Sequence, residues 1–178
     1  MGPETTMQEV LASHPGARRA LFRKYHIGGC SSCGFTPDET LAQLSERNGN
    51  LPVAEVIRHI EFSHHSDQQM AISPRELADL RTRGEKVRLL DLRTREEWEA
   101  VRLDGAEFVN QDLIQRLMGK EGLEGLLVFY DHAGAASPDA AAYFAGHGFS
   151  NARTLVGGID AWSRDIDPKL PRYKLENA

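Results

Sequence analysis

The two cysteines of this 178-residue chain, Cys30 and Cys33, are separated by two residues. At this spacing the two sulfur atoms can form a disulfide with each other, or can bind one metal ion together. Glycines at positions 28, 29 and 34 let the surrounding backbone direct N–H groups toward sulfur. We therefore predict either a reversible dithiol/disulfide or a metal site, and a third interpretation, a pair that only packs, stays open.

A metal at this pair would need further ligands, because two thiolates do not complete a zinc or iron–sulfur site. Two copies of the pair in a homodimer would supply four thiolates. Alternatively, His26 and one later histidine could complete a zinc site (His59, His64 or His65). The candidate cofactors are thus an iron–sulfur cluster or zinc, although surface exposure is the default expectation for the three later histidines.

Short helices are expected to position the cysteine pair within residues 1–66. Thr36 is predicted to cap a helix in which Pro37 takes the first position and Glu39 completes a capping box. Such a helix would direct the positive end of its dipole toward Cys33 and favour the thiolate.

The pattern of apolar residues changes after Gln69. A helix predicted from Pro52 has apolar residues three or four apart, and the polar run 64–69 is predicted to be a linker. Beyond it, apolar runs of strand length alternate with helix-like stretches, which is typical of an α/β protein with a doubly wound parallel sheet. The predicted strands are Val87–Leu92, Glu107–Val109, Leu126–Tyr130 and Arg153–Val156. The predicted organisation is a small all-α domain (1–66), a linker (67–71), an α/β domain (72–173) and a tail (174–178).

Composition excludes several classes of protein. The net charge of -5 argues against nucleic acid or an anionic membrane surface as a partner. No apolar run approaches the ~20 residues that span a bilayer, and the first residues do not resemble a signal peptide. Two cysteines are too few for a secreted disulfide scaffold, so a cytoplasmic location is expected.

Five segments of residues 72–173 form a recognisable series of motifs. Two are longer: Leu89–Trp98, which contains the pattern Asp-x-Arg-x-x-x-Glu-aromatic, and Leu155–Trp162. Three are shorter (Ile72–Leu77, Gly105-Ala106 and Gly148-Phe149). In this order the five segments resemble a rhodanese domain, in which the two longer ones match the family's signature and its closing signature. The resemblance implies a five-stranded parallel sheet flanked by helices, with a reaction loop at the carboxyl end of a central strand.

In active members of that family a cysteine stands first in this loop and carries sulfur as a persulfide. Here the position falls on Asp131, and the position of the usual loop arginine falls on Ala136. A carboxylate cannot carry a sulfane sulfur, so the ordinary sulfurtransferase reaction is not expected of this loop. The candidate anion cradle consists of His132, Ala133, Gly134, Ala135, Ala136 and Ser137.

Two roles are open for Asp131. Its carboxylate could accept N–H groups of the loop as a built-in occupant of the cradle, which we favour. It could instead act as a nucleophile or base in phosphoryl transfer, but the missing arginine argues against this. His132 is expected to be an exposed loop histidine rather than a metal ligand or a partner of Asp131. Asp91 and Arg93 are expected to brace the surrounding loops.

Residues 5–60 contain a second set of recognisable features: His14-Pro15-Gly16-Ala17, Phe22, Tyr25-His26-Ile27-Gly28, the cysteine pair and Glu39-Thr40-Leu41. With these features the segment resembles the small helical redox-disulfide domain of unknown function that accompanies hybrid-cluster proteins.

The sequence therefore predicts a catalytically inactive rhodanese-like protein with a redox or metal-binding helical domain. Its role would be sulfur- or redox-linked binding or regulation, with a protein or a small anion as partner, and a homodimer is compatible with it. The alternative is a sulfurtransferase or thiol-redox enzyme that uses Cys30 and Cys33 in place of the missing loop cysteine. A third hypothesis is an interaction module in which the cysteine pair is inert.

Overall fold

The computed structural model describes residues 1–28, 34–119 and 121–173. The chain divides into two compact units, Met1–Gln69 and Met70–Ala178. Among the described residues, none of the helices is both long and apolar enough to cross a membrane.

The first unit is built from helices: α1 (Met7–Ser13), α2 (Ala17–Tyr25), α3 (Leu41–Arg47) and α4 (Val53–Met70), of which only the last residue belongs to the second unit. The helices bury one cluster of apolar side chains, as the predicted periodicity requires (Met7, Val10, Ala17, Leu21, Ile27, Leu41, Leu44, Val56 and Ile60).

The start of α3 differs from the prediction. The helix begins at Leu41, where Thr40 caps it and Gln43 completes the capping box, rather than near Pro37. The carbonyl groups of residues 37 and 39 instead accept N–H groups from the start of α1 at 2.9 and 2.8 Å, which holds this stretch in a turn. The predicted helix start near Pro37 is therefore wrong, and Cys33, whose thiolate this helix was expected to favour, lies outside the described residues.

The polar run predicted to be a linker is helical. Helix α4 continues without a break to Met70, and β1 begins at the next residue. No glycine or proline interrupts residues 53–70. Contacts four residues apart support the last turns, because the side-chain amide nitrogens of Gln68 and Gln69 lie 3.0 Å from the Nε2 atoms of His64 and His65.

The second unit is a parallel sheet flanked by helices, which confirms the predicted fold class. Its strands lie in the order β1-β5-β4-β2-β3, and every neighbouring pair is parallel. The strands are β1 (Ala71–Ile72), β2 (Val87–Asp91), β3 (Glu107–Phe108), β4 (Leu126–Tyr130) and β5 (Ala152–Leu155). The helices are α5 (Pro74–Thr82), α6 (Arg95–Ala100), α7 (Gln111–Met118), α8 (Ser137–Gly146) and α9 (Gly158–Asp165), with a 3₁₀ turn at Glu121–Leu123.

Strand β4 shows why both faces of the sheet are buried. Leu127 and Phe129 pack into the core on one face, and Val128 and Tyr130 pack into the core on the other. Asp91, the last residue of β2, is in register with Tyr130, the last residue of β4. The loops that follow these strands therefore start at the same edge of the sheet, where open α/β sheets place their sites.

Candidate functional site

The site is the loop between β4 and α8, and its centre is Asp131. This side chain is only 8% exposed. Its Oδ1 accepts the N–H of Gly134, and its Oδ2 accepts the N–H groups of Ala136 and Ser137, the last at 3.0 Å. Because α8 begins at Ser137, the carboxylate also lies at the positive end of a helix dipole. The loop is an anion cradle, and it holds a carboxylate of its own chain.

The start of α9 fixes the backbone of this loop from one side. The N–H groups of Ile159 and Asp160 donate to the carbonyls of Asp131 and His132, both at 3.0 Å. The residue before them, Gly158, has a φ of +57°, and a Cβ there would lie 2.6 Å from the carbonyl oxygen of His132 and also against that of Asp131. Only glycine fits this close approach.

The other side of the loop is fixed by two further close contacts. Gly134 has a φ of +81°, and a Cβ on it would lie 2.9 Å from the backbone nitrogen of Gly157. The fully buried hydroxyl of Ser137 lies 2.8 Å from that of Thr154 in β5. These contacts hold the cradle in one shape, with the side chains of Ala133, Ala135 and Ala136 at or near the surface.

Asp91 and Arg93 form a buried ion pair at the same edge. Nε and Nη2 of Arg93 donate to Oδ1 and Oδ2 of Asp91 at 2.9 and 2.6 Å, and Nη2 also donates to the carbonyl of Val101 at 2.6 Å. The hydroxyl of Tyr130 donates to Asp91 Oδ2 at 2.6 Å. The pair thus ties the end of β2 to the end of β4 and to the chain after α6.

The surroundings shift the pKa values of two members of this cluster. Burial opposes the charge of Arg93, but its hydrogen bonds to Asp91 and Tyr173 outweigh that effect and raise the pKa of the guanidinium. Burial, together with the nearby charge of Asp91, raises the pKa of the Tyr130 hydroxyl far above its usual value. Arg93 stays charged and Tyr130 stays neutral as a donor across the physiological range.

His132 is half-buried, not an exposed loop residue as the sequence suggested. Its ring lies 4.5 Å from the ring of Tyr173, centroid to centroid, and its Nδ1 is buried without a hydrogen-bond partner among the described residues. The hydroxyl of Tyr173 accepts from Arg93 Nη1 at 2.7 Å and donates to Glu97 Oε1 at 2.6 Å. Burial, with the bond to Glu97, raises the pKa of Tyr173 to about 12.

Sequence reasoning missed the roles of Tyr173 and Glu97 at this edge. Glu97 stands in the Asp-x-Arg-x-x-x-Glu-aromatic signature, so its position carried a signal. Tyr173 carried none, because it lies in a proline-containing segment without periodicity.

The predicted metal or redox site cannot be built from the described residues. Cys30 and Cys33 fall in 29–33, outside them. His26 ends α2 in a left-handed conformation, with φ 58°. His59 contacts the carbonyl of Ala20 at 3.0 Å. Over the ranges 1–28, 34–119 and 121–173, no three His, Cys, Asp or Glu residues form a group that could hold a metal ion.

Comparison with known proteins gives the family. A family model described as the rhodanese-like domain matches residues 73–165, which is more than half of the chain. The probable adenylyltransferase/sulfurtransferase MoeZ of Mycobacterium tuberculosis is 38% identical over 107 residues, 57% of this chain and 26% of that protein. The thiosulfate sulfurtransferase GlpE of Pseudomonas aeruginosa is 29% identical over 103 residues, 58% of this chain and 91% of that protein.

Two solved structures share the fold. One is reduced CoADR-RHD of Bacillus anthracis, with a TM-score of 0.51 and 14% identity over 70% of this chain and 22% of that one. The other is a Rhodopseudomonas palustris protein of unknown function, described as a possible tyrosine phosphatase, with a TM-score of 0.50 and 18% identity over 62% of this chain and 90% of that one. This chain spans only about a quarter of the length of MoeZ, whose name describes two activities. The family match, the parallel sheet and the loop at its carboxyl edge agree, and the chain belongs to the rhodanese-like domain family.

Proposed function

We propose that this protein is a catalytically silent rhodanese-like protein that binds a protein partner in a sulfur- or redox-linked setting. The observation that carries the proposal is the carboxylate of Asp131, whose two oxygens accept three N–H groups of the loop. Transfer of a sulfane sulfur needs a thiolate at that position, and both cysteines of the chain lie far earlier, at 30 and 33.

The filled cradle also favours a protein over a small anion as the partner. An anion would have to displace the carboxylate of Asp131 from donors that it already satisfies. The loop carries no lysine or arginine between residues 131 and 137 that would compensate for a second negative charge. The same shortage of cations argues against phosphoryl transfer, whose transition state needs cationic stabilisation.

Cys30 and Cys33 supply the redox or metal chemistry in this proposal. Sulfurtransferases are among the relatives by name, so a thiol pair in the same chain as a silent rhodanese-like unit is consistent with a role in sensing or presenting sulfur. The proposal includes a dithiol/disulfide couple, zinc or an iron–sulfur cluster at the pair, held within one chain or shared in a homodimer.

A thiosulfate:cyanide assay on three proteins tests the silent loop. The wild type and the Cys30→Ser/Cys33→Ser variant should form no thiocyanate above background. Asp131→Cys should accept the outer sulfur of thiosulfate, releasing sulfite and leaving a persulfide, because the loop N–H groups point at this side chain and stabilise its thiolate. Turnover by the wild type that survives loss of both cysteines would overturn the proposal.

The enzyme alternative gives a different result in the same assay. Turnover by the wild type that is lost in Cys30→Ser/Cys33→Ser, with sulfane sulfur detected on either cysteine, would assign the transfer to the cysteine pair. Anaerobic purification, followed by the visible spectrum and metal analysis of the wild type and Cys30→Ser, distinguishes a cluster, zinc and a bare dithiol. If neither bound metal nor a measurable midpoint potential is found, the cysteine pair is inert, and the redox part of the proposal is wrong.

A further inference from the structure

The segment after α9, residues 166–173, is held by backbone and side-chain hydrogen bonds up to Leu170 and by side chains beyond it. The N–H of Leu170 donates to the carbonyl of Asp167 at 3.0 Å, and the hydroxyl of Ser163 donates to the carbonyl of Leu170 at 2.6 Å. Beyond this point the backbone of residues 171–173 makes no backbone hydrogen bond with any other described residue. The side chains of Arg172 and Tyr173 make the hydrogen bonds described for this stretch.

Arg172 brings the segment to the start of α9, beside the loop. Its Nε and Nη2 donate to Oδ1 and Oδ2 of Asp160 at 2.8 and 3.0 Å. The N–H of Asp160 in turn donates to the carbonyl of His132. The bidentate pair is solvent-exposed, so it contributes modestly to stability, but it sets the register that places Tyr173 against His132.

The group that receives Tyr173 is selective for a hydroxyl. Arg93 Nη1 donates to the phenol oxygen and Glu97 Oε1 accepts its proton. A carboxylate there would face Glu97, and an ammonium group would face Arg93, so either charge would be repelled by one partner. A neutral hydroxyl on an aromatic ring satisfies both, and the ring covers one side of the His132 imidazole.

We propose that Arg93, Glu97 and His132 form a recess that binds a tyrosyl side chain, and that the chain's own Tyr173 fills it as a detachable strap. When the strap is closed, one side of His132 and one N–H of Arg93 are covered. When it opens, both become accessible beside the loop 131–137. A tyrosine presented by a partner competes for the same recess, so partner binding and strap release are coupled.

Nδ1 of His132 is buried and has no hydrogen-bond partner among the described residues, which is consistent with a closed state that can open. A buried nitrogen without a partner costs free energy that contact with water removes. The closed state therefore carries an internal cost at the His132 imidazole.

N-acetyl-tyrosinamide, titrated at millimolar concentration and followed by NMR of the histidine ring protons, tests the recess. A chain that ends at Pro171 should bind it, with the His132 signals shifting. The full-length chain should bind at least about tenfold more weakly, because Tyr173 occupies the recess. N-acetyl-phenylalaninamide should bind the shortened chain about tenfold more weakly than the tyrosine probe, since it lacks the hydroxyl between Arg93 and Glu97. Equal binding of the two probes, or equal binding by the two chains, would overturn the proposal.

A second measurement uses only full-length protein, in case the shortened chain does not fold. Carbethoxylation of His132 by diethyl pyrocarbonate should be faster by about tenfold in Tyr173→Ala than in the wild type. His147, an exposed histidine at the end of α8, is the internal control and should react at the same rate in both. An unchanged His132 rate in Tyr173→Ala would show that Tyr173 does not cover the imidazole and would overturn the strap.

Discussion

Replacing Asp131 by alanine takes away the acceptor shared by the N–H groups of Gly134, Ala136 and Ser137. A buried donor left without a partner costs about 1–3 kcal/mol, and hydrogen bonds to a charged group are at the upper end. Entry of water at a side chain that is 8% exposed recovers part of this cost. We therefore expect Asp131→Ala to lower the free energy of unfolding by ~3 kcal/mol, which corresponds to a fall in melting temperature of about 10 °C.

The same variant should gain an anion site. With the carboxylate gone, the three N–H groups and the N-terminus of α8 face an empty cradle of the kind that binds oxyanions. Sulfate or thiosulfate at 100 times its dissociation constant should restore ~2.7 kcal/mol of stability. The measurement is thermal unfolding with increasing anion at constant ionic strength, which separates binding from screening. The wild type should show no comparable rise, because its cradle is filled.

Asp112→Ala is the matched control. Asp112 is an aspartate in the first turn of α7, near a helix N-terminus as Asp131 is, but its side chain is exposed. Its loss should change stability by at most about 0.5 kcal/mol and create no anion dependence. The reasoning fails if Asp131→Ala is as stable as the wild type, or if sulfate stabilises the two proteins equally.

Three further predictions concern the same edge of the sheet. Arg93→Met leaves the carboxylate of Asp91 buried without its cation and should lower the free energy of unfolding in urea by about 3–5 kcal/mol. Arg95→Met, which removes one partner of an exposed pair, should change it by at most about 0.5 kcal/mol. Equal losses would contradict the importance of the buried pair. Gly158→Ala should lower the melting temperature far more than Gly148→Ala does. Gly148 also has a positive φ, but a Cβ added to it would meet no atom within 4 Å. Similar melting temperatures of the two variants would show that the loop can move away from α9. The pKa of Tyr173 is raised to about 12, so the contact of its hydroxyl with Glu97 is fully stabilised below pH ~10 and is lost as the pH rises through about 12. Tyr173→Phe should therefore remove a late step from the absorbance titration at 295 nm. Loss of a step near pH 10 instead would contradict the raised pKa.

The sheet could be predicted from the sequence because its strands are buried on both faces. Continuous apolar runs predicted β4 to the residue, and β2, β3 and β5 to within one residue at either end. The helical unit was harder. Thr36 and Thr40 are both followed three residues later by a Glu or Gln, and only the pairing with α1 decides which one caps α3.

The site was predictable where it depends on neighbours in sequence. Asp131 could be assigned to the cradle because its donors lie within the next six residues. Tyr173 could not be connected with His132 or Arg93, because a contact between residues 41 or 80 positions apart leaves no periodic pattern in one sequence. The same holds for the exposure of His132, which depends on a ring from the end of the described chain.

The carboxylate of Asp131 closes three small rings of backbone, to residues 134, 136 and 137. A surface segment tied in this way should fluctuate little, and its amide protons should exchange with solvent more slowly than those of an ordinary loop. A molecule that docks on the exposed alanines then meets a shape that is already set. Association there is limited by collision and orientation, because no time is spent ordering the loop. A filled cradle can therefore serve as a rigid recognition surface.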